Sequence, residues 1–288
     1  MRVSAVMIVK NEAPCIEECL ESIKDLDEIV IVDTGSTDGT QDICRRYTDK
    51  VYEDYRWNDD FAEARNHAIS KATGDWLYSI DADQWSASSA NDIRHEAEIA
   101  EKEGHKVCFV KSVHAASLML HYRELLWKNG EGIHWVGKVH ECLSVKATKK
   151  TDLVRYYGYS KNHALDPNRN IRILLKGDTS NPRTQFYLAR EYYERTRFEE
   201  AISWFDKYLE KAWWIPEKCE ALLMKARCLW FLHRGNEARA TTLECIRNNP
   251  DFREALLFMA QLYYEPWKSK WERLAKAATN EDVLFIRR

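Results

Sequence analysis

Asp81 and Asp83 stand one residue apart where the apolar run Tyr78-Ser79-Ile80 ends. Paired carboxylates at a strand end suit a hard divalent cation, because Mg²⁺ and Mn²⁺ take oxygen ligands and share them with substrate phosphates. Asp-x-Asp alone is also a common polar exit from a strand. Upstream, however, Glu28-Ile29-Val30-Ile31-Val32 ends in another acid, Asp33, and continues as Thr34-Gly35-Ser36-Thr37-Asp38-Gly39-Thr40. Two strands delivering acids and a Gly/Ser/Thr turn to one sheet edge describe a nucleotide and metal site. Ligands of open α/β sheets bind at the carboxyl ends of strands, where these residues fall.

The elements that must carry these acids are legible as an alternation. Residues 3–9, 28–32, 51–55, 76–80 and 106–113 read as strands, and residues 12–24, 40–47, 61–71 and 91–103 as helices. In the first helix Ile16, Cys19, Leu20 and Ile23 recur at i, i+3, i+4 and i+7. Strands alternating with helices predict an α/β domain with a Rossmann-like, mostly parallel sheet. From 114 to 165 the pattern loosens and fills with His, Trp, Tyr and Lys, an acceptor-side segment in this reading.

After Asn181-Pro182 the chain reads as all-helical and repeats itself. Ala189, Ala226 and Ala260 are spaced 37 and then 34 residues apart, with Pro216 and Pro250 at the junctions. A period near 34 with small residues at helix crossings resembles tetratricopeptide repeats. The division expected is 1–165 for the α/β domain and 166–288 for a helical linker and repeats.

Composition excludes several classes. The 288 residues are 45% hydrophobic and 31% charged with a net charge of −3, which describes a globular chain without global attraction to nucleic acid or anionic membrane. Residues 143–190 run against that balance, with ten Lys/Arg and three acids. Such a stripe is either a solvated surface or a docking face for a polyanionic acceptor. No apolar run approaches the roughly 20 residues of a membrane span, and the start lacks the pattern of a secretory signal. The eight cysteines form no CxxC pair, which argues against zinc and for free thiols in a reducing, cytoplasmic setting.

Four ordered segments carry a more specific resemblance: Met7-Ile8-Val9-Lys10-Asn11-Glu12, Ile31 through Thr40, Phe61-Ala62-Glu63-Ala64-Arg65-Asn66, and Gly74 through Asp83. Together they resemble family 2 glycosyltransferases of the GT-A fold. The similar subgroup, SunS-like and lipopolysaccharide-core enzymes, appends tetratricopeptide-like helices, and the resemblance covers most of residues 3–262. It implies an inverting, metal-dependent transferase that uses a nucleotide-diphosphate sugar, with UDP favoured, and Mn²⁺ or Mg²⁺ as cofactor.

By that resemblance Asp83 coordinates the metal, with Asp81 nearer the ribose or a metal-bound water. Asp33 reads the base or ribose, Glu12 contacts the nucleoside, and Arg65 braces the base or diphosphate. Trp135-Val136-Gly137-Lys138-Val139-His140-Glu141 is similar to the family's Trp-x-Gly-x-x-His-Glu stretch. Glu141 is there the candidate base for the acceptor nucleophile, and His140 either competes for that role or orients Glu141. Trp135 is a platform for a sugar ring or a core tryptophan. Arg169, in Asn168-Arg169-Asn170, and Lys161 are expected to close over the donor phosphates.

Two positions depart from the family pattern. Gln84 follows Asp83 where the subgroup commonly has Glu, which removes a negative charge near the metal. Tyr156 stands where relatives often have His, with His163 as a replacement ligand and Arg155 as an added cation for the diphosphate. The acceptor stays open among a glycan or lipopolysaccharide core, a protein side chain, and a modified base in phage DNA. The reading from another class is a catalytically inactive repeat scaffold, and exposed helices such as residues 267–276 offer a route to self-association. A nucleotidyltransferase would need a glycine-rich phosphate loop after the first strand, and Lys10-Asn11-Glu12 lacks the glycines.

Overall fold

A computed structural model describes residues 1–158 and 166–279. The chain divides into two compact units, one built on residues up to Pro167 and one beginning at Asn168. Lys161 and His163 lie outside the described residues.

In the first unit the strands are β1 (Val3–Val9), β2 (Glu28–Asp33), β3 (Val51–Tyr52), β4 (Trp76–Ser79), β5 (Gln84–Ser86), β6 (Val107–His114), β7 (Leu120–Lys128), β8 (Trp135–Val136), β9 (Cys142–Leu143) and β10 (Lys149–Tyr157). The helices are α1 (Ile16–Ile23), α2 (Thr40–Cys44), α3 (Phe61–Lys71) and α4 (Ala90–Glu103). Eight strands form one sheet in the order β3-β2-β1-β4-β7-β6-β10-β5, and β8 pairs with β9. Four of the seven pairings in the large sheet are parallel; β7 runs antiparallel to both neighbours, and β5 antiparallel to β10. The α/β alternation holds through β6. Where the sequence pattern loosens after 114, the chain still builds strands, β7 and β10, but as return strands without intervening helices.

Strands β2 and β4 are buried along their whole length and β1 at every residue but Ile8, which is why they read as unbroken apolar runs rather than alternating ones. The helices meet the sheet with small or aliphatic faces: Ile16, Cys19, Leu20 and Ile23 in α1, and Ala62, Ala64 and Ala68 in α3. Capping fixes where they start. Asp60 accepts from the Glu63 N–H at the head of α3, and Ser89 with Asp92 forms a reciprocal capping box on α4.

One buried acid locks the amino-terminal edge of the sheet. Glu28 accepts hydrogen bonds from the Ser4 hydroxyl, from the Thr73 N–H at 2.7 Å and from the Lys50 ammonium. Gly74 closes against the same residues, its N–H donating to Ser4 Oγ at 2.8 Å. A Cβ at Gly74 would lie 2.4 Å from that oxygen, so only glycine fits there.

The second unit is all-helical: α5 (Arg169–Lys176), α6 (Pro182–Glu194), α7 (Phe198–Leu209), α8 (Ile215–Phe231), α9 (Gly235–Asn248), α10 (Arg253–Gln261) and α11 (Trp267–Ala277). From α6 onward they pack in successive pairs, α6 on α7, α8 on α9 and α10 on α11. Ala189 of α6, Ala226 of α8 and Ala260 of α10 are all buried. No described helix is long and apolar enough to cross a membrane.

Candidate active site

The register of the sheet brings the predicted acids to one edge. Val9 of β1 is level with Asp33 of β2, and Val6 of β1 is level with Ser79 of β4. Asp33 and the Asp81-Ala82-Asp83 loop therefore leave the sheet at its carboxyl end on either side of β1.

Asp33 is 2% exposed. Its Oδ1 accepts from the Gly35 and Ser36 N–H groups at 2.8 and 2.7 Å, while Oδ2 is buried without a partner. The turn around it is laced to the loop after β1. Asn11 N–H donates to Ser36 Oγ, Thr37 N–H to Asn11 Oδ1, and Glu12 N–H to Thr40 Oγ1, at 2.7–2.8 Å. Gly35 and Gly39 both hold positive φ, 108° and 90°, which lets the turn curl back under Asn11 and Glu12. The Glu12 carboxylate accepts from the Cys15 thiol at 3.2 Å.

Arg65 is the hub on the other side. From α3 it donates through Nη2 to Asp81 Oδ1 at 2.7 Å and through Nε to Glu141 Oε1 at 2.6 Å. Its guanidinium also lies 5.3 Å from the centre of the Trp135 ring. Asn66, the next residue, brackets the Trp135 backbone: its Nδ2 donates to the carbonyl at 2.9 Å, and its Oδ1 accepts the N–H at 2.8 Å. Phe61 N–H donates to the Lys138 carbonyl, so the head of α3 and the 135–141 loop are joined along their length.

Electrostatics follow from these contacts. Burial disfavours the Asp81 carboxylate, but Arg65, Arg155 and Arg123 outweigh it and hold its pKa down at about 2. Burial likewise opposes ionised Glu141, and Arg65 and Arg123 again prevail, so its pKa is lowered. Arg65 is disfavoured by burial, yet the two acids raise its pKa above the usual arginine value.

Gln84 and Arg155 complete the floor. Gln84 Oε1 accepts from the Asp81 N–H and from Arg155, while Gln84 Nε2 donates to Asp81 Oδ2, the first and last at 2.9 Å. Arg155 Nε donates to Ser112 Oγ at 2.9 Å. Burial and then Arg123 depress Arg155 to about 10, which leaves it cationic at neutral pH. The missing charge at residue 84 is thus replaced by an amide that serves two masters at once. Tyr156 stacks on Trp85 with ring centres 5.7 Å apart.

The fit to a divalent cation divides the two acids. Both Asp81 oxygens already accept from Arg65 and Gln84. Asp83 is half-buried one residue on, and its carbonyl anchors Gly158 N–H at 3.0 Å. No group of three or more His, Cys, Asp or Glu side chains gathers to hold a metal among the described residues, so a cation at this edge would take Asp83 together with substrate phosphate oxygens.

Asp33, Asp81, Asp83, Glu12, Arg65, His140 and Glu141 thus all belong to the first unit, and Arg65 joins Asp81 directly to Glu141. Arg169 opens α5 in the second unit, where its Nε donates to Asn170 Oδ1. Trp135 is 3% exposed and packs edge-on against Trp127, which makes it a core residue rather than an open sugar platform. Sequence reasoning missed Asn66 as the brace of the 135–141 loop, although it sits inside a quoted motif. It also missed Arg123 on β7, whose field reaches both acids and which no local motif marks.

The open α/β sheet carries its acids at the carboxyl edge, beside a returning loop clamped by Arg65. Residues 4–136 match the family model "Glycosyl transferase family 2". It is 32% identical over 219 residues to the SPbeta prophage-derived glycosyltransferase SunS of Bacillus subtilis, covering 70% of this chain and 51% of that protein. It is 37% identical over 87 residues to the lipopolysaccharide core biosynthesis glycosyltransferase LpsC of Rhizobium meliloti, covering 28% of this chain and 31% of that one. A crystal structure of S. aureus TarS 1–349 in complex with UDP-GlcNAc superposes with a TM-score of 0.49 at 15% identity, covering 92% of this chain and 93% of that one. The chain spans about half the length of the curated relative SunS.

Proposed function

We propose that this chain transfers a sugar from a nucleotide-diphosphate donor, a UDP-sugar first, to an acceptor nucleophile with inversion at the anomeric carbon. The observation that carries the reading is the buried, unpartnered Oδ2 of Asp33 at the carboxyl end of β2. A buried acceptor without a donor is costly unless a ligand supplies one, and a nucleoside N–H or hydroxyl does so.

In this reading Asp33 and Glu12 hold the nucleoside, and Asp81 faces the ribose or a metal-bound water. Asp83 holds Mn²⁺ or Mg²⁺, which when bound supplies Lewis-acid stabilisation of the diphosphate. The acceptor lone pair forms a bond to the anomeric carbon as the bond to the β-phosphate oxygen breaks, and the diphosphate leaves with the electron pair. Glu141 takes the acceptor proton. Arg65 keeps Glu141 ionised at neutral pH and ties it to Asp81, so donor and acceptor sides share one brace. His140, held at a φ of 54°, is the competing base. Tetratricopeptide-like repeats in the second unit, and the basic run 143–190, favour a protein or polyanionic acceptor.

The test is donor hydrolysis followed by NMR over UDP-, GDP- and CMP-sugars, with Mn²⁺ or with chelator, for the wild type and Asp83→Ala. Turnover of one donor that needs metal and is lost in the variant supports the reading. No turnover and no donor binding, with Mn²⁺ and candidate acceptors present, would leave the inactive scaffold as the better account.

A further inference from the structure

Arg123, half-buried on β7, forms no hydrogen bond or ion pair among the described residues. Its charge nevertheless acts on Asp81, Glu141 and Arg155, so its guanidinium belongs to the floor of the candidate site. The acids it could have paired with are already engaged. Arg65 holds Asp81 Oδ1 and Glu141 Oε1, and Gln84 donates to Asp81 Oδ2 while accepting from Arg155. Three guanidiniums, on Arg65, Arg123 and Arg155, thus meet two carboxylates. One cation is left over, sheltered from water, and such a charge is costly until something pairs it.

The sheet sets Arg123 apart from the nucleoside side. In the order β2-β1-β4-β7-β6-β10, Asp33 of β2 and Arg123 of β7 lie on opposite sides of β4. On the transferase reading, a donor with its nucleoside at Asp33 and its diphosphate at Asp83 carries its sugar onward over β7. Register continues one surface from there: His121 is level with Ser112, Ser112 with Arg155, and His114 with Tyr157. Alternate residues of a strand share a face, so His121, Arg155 and Tyr157 extend the surface that Arg123 begins. Both histidine rings pack edge-on against Tyr157, with ring centres 5.1 and 5.4 Å apart.

We propose that this site takes an anionic substrate group, a carboxylate or phosphate, held by Arg123 on the sugar and acceptor side of the diphosphate. This substrate class presupposes the transferase reading above and narrows it. A guanidinium pairs such an anion through two parallel N–H···O bonds, which a neutral hydroxyl cannot match. The anion is carried by the transferred sugar or by the acceptor.

Isothermal titration calorimetry of the full chain with Mn²⁺ tests both carriers. UDP, UDP-glucose and UDP-glucuronate probe the transferred sugar. Methyl glucuronide against methyl glucoside, and glycerol 3-phosphate against glycerol, titrated into UDP-loaded protein, probe the acceptor. In one arm the anionic probe is expected to bind at least about tenfold tighter than its neutral counterpart. Arg123→Gln is expected to erase that preference at unchanged Tm and unchanged UDP affinity, and Arg123→Lys to keep part of it. Preference in the first arm assigns the anion to the sugar, and preference in the second assigns it to the acceptor. Normal UDP binding without preference in either arm would overturn the proposal and leave the transferase reading standing. A loss of UDP affinity in Arg123→Gln as large as the loss for the anionic probe would make Arg123 a diphosphate contact and also overturn it. A wild type that binds no UDP would remove both readings.

Discussion

Arg65 Nε lies 2.6 Å from Glu141 Oε1, so one guanidinium on α3 fixes the acid of a loop that returns seventy-six residues later. Its Nη2 holds Asp81 at the same time. Arg65→Gln strands the buried Glu141 carboxylate and takes one partner from the half-buried Asp81, and breaking one partner of a buried pair costs about 3–5 kcal/mol. Urea unfolding is expected to show a loss of that order, with donor turnover reduced at least about tenfold. Arg65→Lys is expected to recover only part of both, because a point charge cannot span two acids as the planar fork does.

Asp83→Ala is expected to behave differently. The side chain is half-buried, and the backbone carbonyl rather than the carboxylate holds Gly158. Urea midpoints should change little, while turnover should fall by about 10²–10³-fold, as when one charge-stabilising group is removed from an active site. Equal donor turnover in wild type and variant at saturating Mn²⁺ would remove Asp83 from the metal site.

Gln84→Leu removes the amide that Asp81 and Arg155 share. Asp81 loses a donor to Oδ2 and an acceptor for its N–H, and Arg155 loses an acceptor. Leaving buried polar groups unanswered costs about 1–3 kcal/mol each. Thermal and urea unfolding are the measurements, and a variant as stable as wild type would contradict the assigned role.

Acid should unfold the first unit through specific carboxylates. Asp81 falls from 3.8 to about 2 and Glu28 from 4.5 to about 2: burial opposes both, but Arg65 and Lys50 respectively lead the opposing groups. A pKa depressed in the folded state gives stability that is complete above the unfolded value and lost as pH falls through the folded one. Each acid is worth on the order of 2–3 kcal/mol. Urea midpoints are expected to hold level above about pH 5 and drop between about pH 4 and 2, with the Glu28→Gln variant showing a shallower acid limb.

Gly74→Ala puts a Cβ 2.4 Å from Ser4 Oγ and 2.9 Å from Ser4 N. Because backbone as well as side chain must move, a loss of about 1–3 kcal/mol is expected, in the range of overpacked cores. The readout is Tm, and the double variant with Ser4→Gly should recover part of it.

Much of the first unit was legible because buried parallel strands must be apolar throughout and their acids must fall at the ends. Strands β1, β2 and β4 and helix α3 appear within a residue of their expected bounds for that reason. After residue 114 legibility failed. β7 and β10 are paired over long distances by partners, β6 above all, that no local period names. The roles of Asn66, Gln84 and Arg123 were hidden for the same cause: each acts on a residue remote in sequence or through a geometry that spacing does not encode.

The sequence by itself determined the alternating α/β domain, the helical unit after Asn181, and the acids Asp33, Asp81 and Asp83 at strand ends, since periodicity and strand exits are local properties. Only the tertiary structure decided that Arg65 joins Asp81 to Glu141, that Gln84 answers Asp81 and Arg155 together, and that Trp135 is core. Charge pairing and burial depend on which distant segments the sheet order sets side by side, and that order follows from packing the whole chain.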